Sequence, residues 1–109
     1  MGDFTIIRGD SCYISVIKTN EQGEQIDFVD GEKVVFSVKK NLKQENYDIQ
    51  SSSSKIVDGQ MIIELTPDDT NIALGDYFYD IQYTDINNDV YTLSKGNVTI
   101  DWDVTREWM

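Results

Sequence analysis

Acidic side chains are the most abundant groups in this chain that could do chemistry. Aspartates recur in three close pairs: Asp68 with Asp69, Asp85 with Asp89, and Asp101 with Asp103. A glycosidase holds two carboxylates at a defined separation across a substrate cleft. If Trp102 faces inward on a strand, alternation places Asp101 and Asp103 outward, where water keeps carboxylates ionised and ordinary. The pairs therefore do not by themselves predict a catalytic site.

The chain contains no histidine and a single cysteine, Cys12. Histidine is the usual general base near neutral pH and the commonest zinc ligand. Its absence excludes Ser-His-Asp, Cys-His and His-ligated metal sites. No basic residue adjoins Cys12 in sequence to activate its thiol. We therefore expect a buried cysteine, no enzymatic activity and no cofactor.

Calcium is a more plausible ionic hypothesis, because it takes oxygen ligands from loop carboxylates and carbonyls. Asp85, Asn87 and Asp89 offer such oxygens at alternate positions. The glycine and the distal glutamate of an EF-hand loop are missing, however. Asn and Asp are also good turn formers, which is the simpler interpretation of this segment.

A net charge of -11, from nine basic and twenty acidic residues, argues against anionic partners. We expect neither nucleic acid nor membrane as a partner, because this charge repels both. No apolar run approaches the roughly 20 residues of a membrane-spanning helix. The start, Met1-Gly2-Asp3-Phe4, does not resemble a signal peptide. We expect one domain over residues 1–109, with the fold over about 3–103 and a tail over 104–109.

Apolar residues alternate with polar ones at a period of two, which is typical of strands with one buried face. The alternating sets are Phe4 and Ile6; Cys12, Ile14 and Val16; Val34, Phe36 and Val38; Ile63 and Leu65; Tyr77, Tyr79, Ile81 and Tyr83; Tyr91 and Leu93; and Val98 and Ile100. Turn residues separate most of these sets. The pattern predicts an all-β fold, an immunoglobulin-like β-sandwich of about seven to eight antiparallel strands.

Turn residues fix the expected register of the hairpins. Asp58-Gly59 predicts a two-residue turn that places Ile56 opposite Met61. A three-residue loop ending at a left-handed Asn88 would align the strands on either side of it. The last strand changes phase along its length, and we predict a β-bulge at Lys95-Gly96 to restore a common face.

Residues 41–54 are mostly polar and include four consecutive serines. We predict a loop followed by an edge strand there, since exposed edges are often kept polar to prevent intermolecular pairing.

The segment from Thr66 to Tyr83 is typical of the crossover between the two sheets of such a sandwich. Asp68 or Asp69 could cap one helical turn. Tyr77 could then donate its hydroxyl to the backbone of residues 69–74, as in a tyrosine corner. The alternating tyrosines suit core packing better than a ligand platform. The positions expected to carry the fold are Tyr77, Gly75, Asp69 and Gly96.

Four residues are candidates for an interface. Phe78 should point away from the tyrosine face, and an exposed Phe on a strand indicates a contact surface. Tyr13 lies on the polar side of the second strand. Trp108 and Met109 follow the last strand, where they could pack back onto the domain or anchor a neighbouring subunit.

Several segments together resemble a family of small immunoglobulin-like modules. They are Phe4-Thr5-Ile6, Arg8-Gly9-Asp10, Val34-Val35-Phe36-Ser37-Val38-Lys39, Leu65-Thr66-Pro67-Asp68-Asp69-Thr70, Gly75-Asp76-Tyr77-Phe78-Tyr79-Asp80-Ile81, Gly96-Asn97-Val98-Thr99-Ile100 and Asp103-Val104-Thr105. The family occurs among tail and baseplate proteins of phages and prophages of Gram-positive bacteria, and includes the N-terminal domain of baseplate upper proteins. Since the sequence ends soon after the predicted sandwich, we expect no coiled coil or receptor-binding head of the kind that the longer baseplate proteins carry.

The resemblance implies a virion component made in the host cytoplasm. We expect a non-enzymatic adaptor or accessory module of the tail or baseplate. Its partners would be other phage structural proteins or a second copy of itself. The alternative is a carbohydrate-binding or adhesion module that uses exposed aromatics such as Tyr13, Phe78 or Trp108.

Overall fold

Strands dominate the computed structural model, which describes residues 3–102. The strands are β1 (Phe4–Ile7), β2 (Cys12–Val16), β3 (Lys18–Thr19), β4 (Gln25–Ile26), β5 (Lys33–Lys39), β6 (Ile49–Ser53), β7 (Ile56–Val57), β8 (Gln60–Leu65), β9 (Gly75–Thr84) and β10 (Val90–Asp101). One short helix, α1 (Pro67–Thr70), lies between β8 and β9. The prediction of an all-β chain is therefore confirmed.

The strands form two main sheets and a small ribbon. The larger sheet has the order β1-β10-β9-β5-β6, the smaller has the order β2-β8-β7, and β3 pairs with β4. The prediction of antiparallel strands throughout is wrong at one place, since β1 pairs in parallel with β10. A parallel pair needs a long connection, and nearly the whole chain separates these two strands.

The core lies between the inward faces of the two main sheets. Along β5, the buried residues Val34, Phe36 and Val38 alternate with less buried ones. The smaller sheet contributes Val16, Met61, Ile63 and Leu65, and the larger sheet adds Ile6, Ile49, Tyr77, Tyr79, Ile81, Val98 and Ile100. Burial of each large apolar side chain contributes roughly 1.5–3 kcal/mol, so the facing sheets supply the main driving force for folding.

Two predicted turns are confirmed. Asp58 and Gly59 both have positive φ, 51° and 79°, and Ile56 lies opposite Met61. In the next hairpin Asn88 has a φ of 66°. The amide of Asp85 donates to the carbonyl of Asp89 at 3.0 Å and so closes the three-residue loop.

The β-bulge in β10 lies at Leu93, because the register with β9 shifts between Thr92 and Ser94. The prediction of a bulge at Lys95-Gly96 is wrong. Bulges of several kinds use ordinary residues and need no glycine. The ladder with β9 is regular over residues 94–100, and Gly96 lies within it, opposite Tyr79.

Trp102 is exposed, so the inward position considered for it in the sequence is not the one it takes. The pairing of β10 with β1 ends at Asp101, one residue before the tryptophan. The guanidinium carbon of Arg8 lies 5.3 Å from the centroid of the Trp102 ring instead. A cation-π contact of this kind stabilises the end of the sheet without burial.

The crossover between the sheets is held by side chains that bind backbone. Thr66, not Asp68 or Asp69, is the N-cap of α1, and its side chain accepts from the amide of Asp69. Asp69 completes a capping box, since its carboxylate accepts from the amide of Thr66 at 2.8 Å. The hydroxyl of Tyr77 donates to the carbonyl of Ala73 at 2.6 Å, within the segment predicted for it. Gly75 has a φ of 132°, a conformation that favours glycine.

Two of the four consecutive serines join the sheets. β7 pairs only with the first two residues of β8. The edge strand β6 of the larger sheet lies on the same side of β8, beside its remaining residues. Ser51 Oγ donates to the carbonyl of Glu64 at 3.1 Å, and Ser53 Oγ donates to the carbonyl of Ile62 at 2.6 Å. These hydroxyls bind carbonyls of β8 in place of a neighbouring backbone. Alternation leaves Ser52 and Ser54 exposed.

The serines offer a matched test of the contacts between β6 and β8. We expect the double substitution Ser51→Ala and Ser53→Ala to lower the free energy of unfolding by about 1–3 kcal/mol, because two carbonyls lose donors. The control, Ser52→Ala with Ser54→Ala, should change it by less than about 0.5 kcal/mol. Urea unfolding measures both variants. Equal stability of the two double variants would show that the hydroxyls of Ser51 and Ser53 do not stabilise the fold.

Tyr77 allows a second test. The substitution Tyr77→Phe should destabilise the fold by about 1–2 kcal/mol, because the Ala73 carbonyl loses its donor while the ring still fills the core. Tyr13→Phe is the control, since the Tyr13 side chain is exposed. Thermal or urea unfolding that gave the same stability for both variants would contradict a stabilising role for the Tyr77 hydroxyl.

Candidate binding site

Four side chains on β5 and β9 form a compact group on the outer face of the larger sheet. Ser37 pairs with Asp80 and Lys39 pairs with Phe78 in the antiparallel register of these strands. The intervening residues of both strands are buried in the core. Because side chains alternate across a strand, the four residues point away from the core.

The loop between β5 and β6 is folded by its own polar side chains. The Gln44 side chain accepts from the amide of Asn41 at 2.9 Å. Its amide nitrogen donates to the carbonyl of Asn46 at 2.8 Å and to Asp48 Oδ2 at 2.9 Å. Asp48 Oδ2 also accepts from the amide of Lys40 at 2.7 Å. These bonds hold the loop in one shape without burying it.

This loop carries two exposed apolar side chains to the group on the sheet. Leu42 and Tyr47 line a depression of about 190 Å³ together with Phe78 and the polar residues Ser37, Lys39 and Asp80. The exposed fraction is 67% for Leu42, 49% for Tyr47 and 41% for Phe78. None of the three is needed to complete the core, so their grouping indicates a contact surface.

Lys39 joins the loop to the sheet. Its ammonium donates to the carbonyl of Gln44 at 2.9 Å and lies 4.7 Å from the centroid of the Tyr47 ring. A cation over an aromatic ring is attracted to it. The contact therefore orients Tyr47 and leaves further ammonium hydrogens available to a ligand.

Asp80 is the acceptor in the depression. Burial raises the pKa of its carboxyl group, and the nearby charge of Lys39 partly offsets that rise. Ser37 Oγ accepts a hydrogen bond from the side-chain amide of Gln50 at 3.2 Å. Within residues 3–102, the Asp80 carboxylate forms no ion pair at close range and no side-chain hydrogen bond. It can accept hydrogen bonds from a bound molecule.

The two predicted interface residues that the structure describes, Phe78 and Tyr13, do not lie together. Phe78 is in the depression, as an exposed strand residue. Tyr13 is 69% exposed but lies on β2 of the smaller sheet, opposite Glu64. Trp108 and Met109 lie outside the described residues. Leu42, Tyr47, Lys39 and Asp80 were not predicted as site residues, although apolar Leu42 and Tyr47 stand out in a polar segment that has no alternation.

A buried ionic cluster at one end of the sheets was also not predicted. Glu32 is only 5% exposed, and Lys18 Nζ donates to its two carboxylate oxygens at 2.9 and 3.2 Å. The hydroxyl of Tyr83 donates to the same carboxylate, as does the amide of Val29 at 2.8 Å. The Lys18 ammonium also lies 5.0 Å from the ring centroid of Phe28. The cluster fastens the segment before β5 to β3 and β9.

Hydrogen bonds decide the protonation state of this cluster. Burial alone would raise the pKa of Glu32. The bonds from Tyr83, Val29 and Lys18, with the Lys18 charge, outweigh burial and lower it. Burial and the adjacent Glu32 raise the pKa of Tyr83 well above its ordinary range. Glu32 is therefore ionised and Tyr83 neutral near pH 7, which suits a stabilising cluster rather than proton transfer.

The acidic pairs do not form a metal centre in the described part of the chain. No group of three or more His, Cys, Asp or Glu side chains there is arranged to hold a metal ion. Asp85 Oδ1 accepts from the amides of Asn87 and Asp89 at 2.8 and 3.0 Å. These bonds favour the turn-forming interpretation of this segment over the calcium hypothesis.

Glu32 provides a test of the pH dependence. Its pKa is lowered on folding, so its contribution to stability is present above the unfolded pKa of about 4.3 and is lost as pH falls through the folded pKa. We expect Glu32→Gln to lose about 3–5 kcal/mol near pH 7, since Lys18 is left unpaired. The stability difference from the wild type should shrink below about pH 4.

Urea unfolding across this pH range measures the difference. The double variant Lys18→Met with Glu32→Gln is the control, because it removes both charges and should recover part of the stability near neutral pH. A wild-type advantage over Glu32→Gln that stayed constant down to acid pH would contradict the assigned role of the carboxylate.

Comparison with known proteins gives no family assignment. No family model matches the chain, and no curated protein matches it. Among solved structures, the chain is similar to a structure of murine CRIg, with a TM-score of 0.40 and 9% sequence identity. That overlap covers 93% of this chain and 92% of the CRIg chain.

Proposed function

We propose that this chain is a non-enzymatic immunoglobulin-like module of a phage or prophage tail or baseplate, and that it works through protein-protein interfaces. The observation that carries the proposal is the group of large apolar side chains presented at the surface by a hydrogen-bonded loop. Leu42, Tyr47 and Phe78 are exposed together, although the core is complete without them. Exposed aromatic groups of this kind serve as anchors in interfaces.

Strand order supports the immunoglobulin-like part of the proposal. Seven strands have four or more residues: β1, β2, β5, β6, β8, β9 and β10. In an immunoglobulin sandwich, the sixth strand pairs with the third and the seventh, and the second and fifth lie in the other sheet. Here β9 pairs with both β5 and β10, while β2 and β8 lie in the other sheet. The first and fourth long strands, β1 and β6, depart from the constant-type arrangement, because both lie in the larger sheet. The bond from Tyr77 to Ala73 also lies where a tyrosine corner belongs, near the start of the sixth long strand.

The phage assignment is supported by the resemblance of seven sequence segments to tail and baseplate modules. In that setting the protein is a virion component made in the host cytoplasm. It needs no cofactor, and its partners are other particle proteins or a second copy of the chain. The net charge of -11 disfavours nucleic acid and anionic membranes. Within residues 3–102, no helix has the length and apolarity needed to cross a membrane.

Association is the direct test of this function. We expect the purified chain to self-associate, or to bind a protein encoded beside it among the tail genes. Mass measurement in solution at several concentrations and pull-down with those gene products would detect either. Phe78→Ala should weaken the association at least about tenfold if Phe78 is an anchor. Removal of residues 106–109 tests the predicted contribution of Trp108 and Met109.

The controls separate a lost interface from a lost fold. Tyr13→Ala removes an exposed aromatic from the other sheet, and urea unfolding checks that each variant remains folded. A chain that stayed monomeric, bound none of the particle proteins and was absent from purified particles would contradict the adaptor function.

A second candidate function is carbohydrate binding or adhesion through the exposed aromatics Tyr13, Phe78 and Trp108. A specific observation favours it. Phe78 and Tyr47 lie beside a carboxylate, an ammonium and a hydroxyl in one depression. Aromatic faces next to a few polar groups are typical of small-molecule sites.

A further inference from the structure

Hydrogen-bonding side chains surround Phe78 on the outer face of the larger sheet. Across β5 and β9, Phe78 lies opposite Lys39, and Asp80 lies opposite Ser37. On the other side of β9, Asn97 of β10 lies opposite Phe78, and Lys95 lies opposite Asp80. Residues 95 and 97 alternate with buried Val98 and partly buried positions, so they share the outward face. An aromatic ring is thus bordered by donors and by acceptors.

The spacing of these groups suits one small ring. Neighbouring strands lie about 4.8 Å apart, and alternate residues along a strand lie about 6.8 Å apart. The side chains of Lys39, Phe78, Asp80 and Ser37 therefore occupy the corners of a patch the size of a single sugar ring. The wall formed by Leu42 and Tyr47 closes one side of this patch.

The mixture of charges limits the ligand. The Asp80 carboxylate disfavours an anion, while the ammonium groups of Lys39 and Lys95 disfavour a cation. A neutral molecule with several hydroxyl groups can donate to Asp80 and accept from Lys39 at the same time. Because charged groups form the stronger hydrogen bonds, this pair would orient the ligand.

The apolar side of the depression adds a second requirement. The exposed rings of Phe78 and Tyr47 offer apolar faces on which a flat apolar surface can stack. A hexopyranose meets both requirements, since it has a face of C–H groups and a rim of hydroxyls. An aliphatic side chain would not donate to Asp80, and the charge of Lys39 opposes the attraction of an amine to Asp80.

We propose that this depression is a subsite for one neutral hexopyranose unit of a glycan. Phe78 stacks on the C–H face of the sugar, Asp80 accepts from its hydroxyls and Lys39 donates to them. Gln44 is a positioning residue, because its hydrogen bonds hold the loop that carries Tyr47. The inference rests on the second candidate function and adds the ligand class and the role of each residue.

Backbone amide chemical shifts, followed during titration with sugars, test the subsite. The probes are D-glucose, D-galactose and N-acetylglucosamine, with glucuronic acid and glucosamine as charged counterparts. At millimolar concentrations, we expect at least one neutral sugar to shift amides in residues 37–50 and 78–80, and the charged counterparts to bind more weakly. Weak affinity is expected because the depression is shallow and binds a single unit.

Substitutions assign the contacts. Phe78→Ala and Asp80→Asn should each weaken binding of the neutral sugar by at least about tenfold, as for an anchor residue. Tyr13→Ala is the matched control and should leave it unchanged. Gln44→Ala should weaken binding and broaden the amide signals of the loop. If Gln44 only stabilised the fold, the substitution would lower the free energy of unfolding and change neither of these. Urea unfolding verifies that each variant is folded.

Three outcomes would overturn the inference. The first is that none of the neutral sugars shifts amides around the depression. The second is that Tyr13→Ala lowers binding as much as Phe78→Ala does. The third is that Phe78→Ala abolishes pull-down of a particle protein while no sugar binds, which would make the depression a protein interface. Sugar binding by a chain that is absent from particles would contradict the adaptor function alone.

Discussion

The register between β5 and β9 is the constraint on which the rest of the molecule depends. It places Phe36 opposite Ile81 and Val38 opposite Tyr79, so both strands direct buried residues into the core. The same register places Phe78 and Asp80 on the outer face beside Lys39 and Ser37. A slip of one residue would turn every side chain to the opposite face. The core and the candidate site are therefore fixed together, and the large burial energy of the core holds the candidate surface in place.

Polar side chains form hydrogen bonds to backbone groups that the sheets leave unpaired. Ser51 and Ser53 donate to carbonyls of β8, Tyr77 donates to Ala73, and Asp69 accepts from Thr66. A buried carbonyl or amide without a partner costs free energy comparable to a lost hydrogen bond. Each of these side chains removes such a cost at a point where the chain leaves a ladder. These contacts account for the polar groups, including the hydroxyl of the core residue Tyr77, that add no apolar surface to the core.

The proposed functions use a part of the surface that the fold does not need for its stability. The loop between β5 and β6 is held by Gln44 and Asp48, and it presents Leu42 and Tyr47 beside Phe78. A site whose shape exists before binding loses less conformational entropy when a ligand or partner arrives. The buried Glu32 cluster has a different role, because its carboxylate is already fully engaged by Lys18, Tyr83 and Val29. It fastens the end of the fold and offers no group to a ligand.

The sequence by itself determined the local features. Alternation identified the long strands and most of the core, and Asp58-Gly59 and Asn88 identified two turns, because side-chain period and turn chemistry act between near neighbours. Phe78 could be assigned to the outer face for the same reason. The bulge was misplaced, since a change of phase shows that an extra residue is present without locating it.

Only the tertiary structure decided what depends on distant partners. The parallel pairing of β1 with β10 joins segments far apart in sequence. The bonds of Ser51 and Ser53 to β8 and of Lys18 to Glu32 span 9 to 14 residues and join different strands or loops. Tyr47 lies beside Phe78 for the same reason, although one belongs to a polar loop and the other to a strand. Local pattern fixes which face a side chain takes, but packing of the whole chain fixes which residue it meets there. The grouping of residues in the candidate site is therefore decided by the packing of the whole chain and could not be read from local pattern.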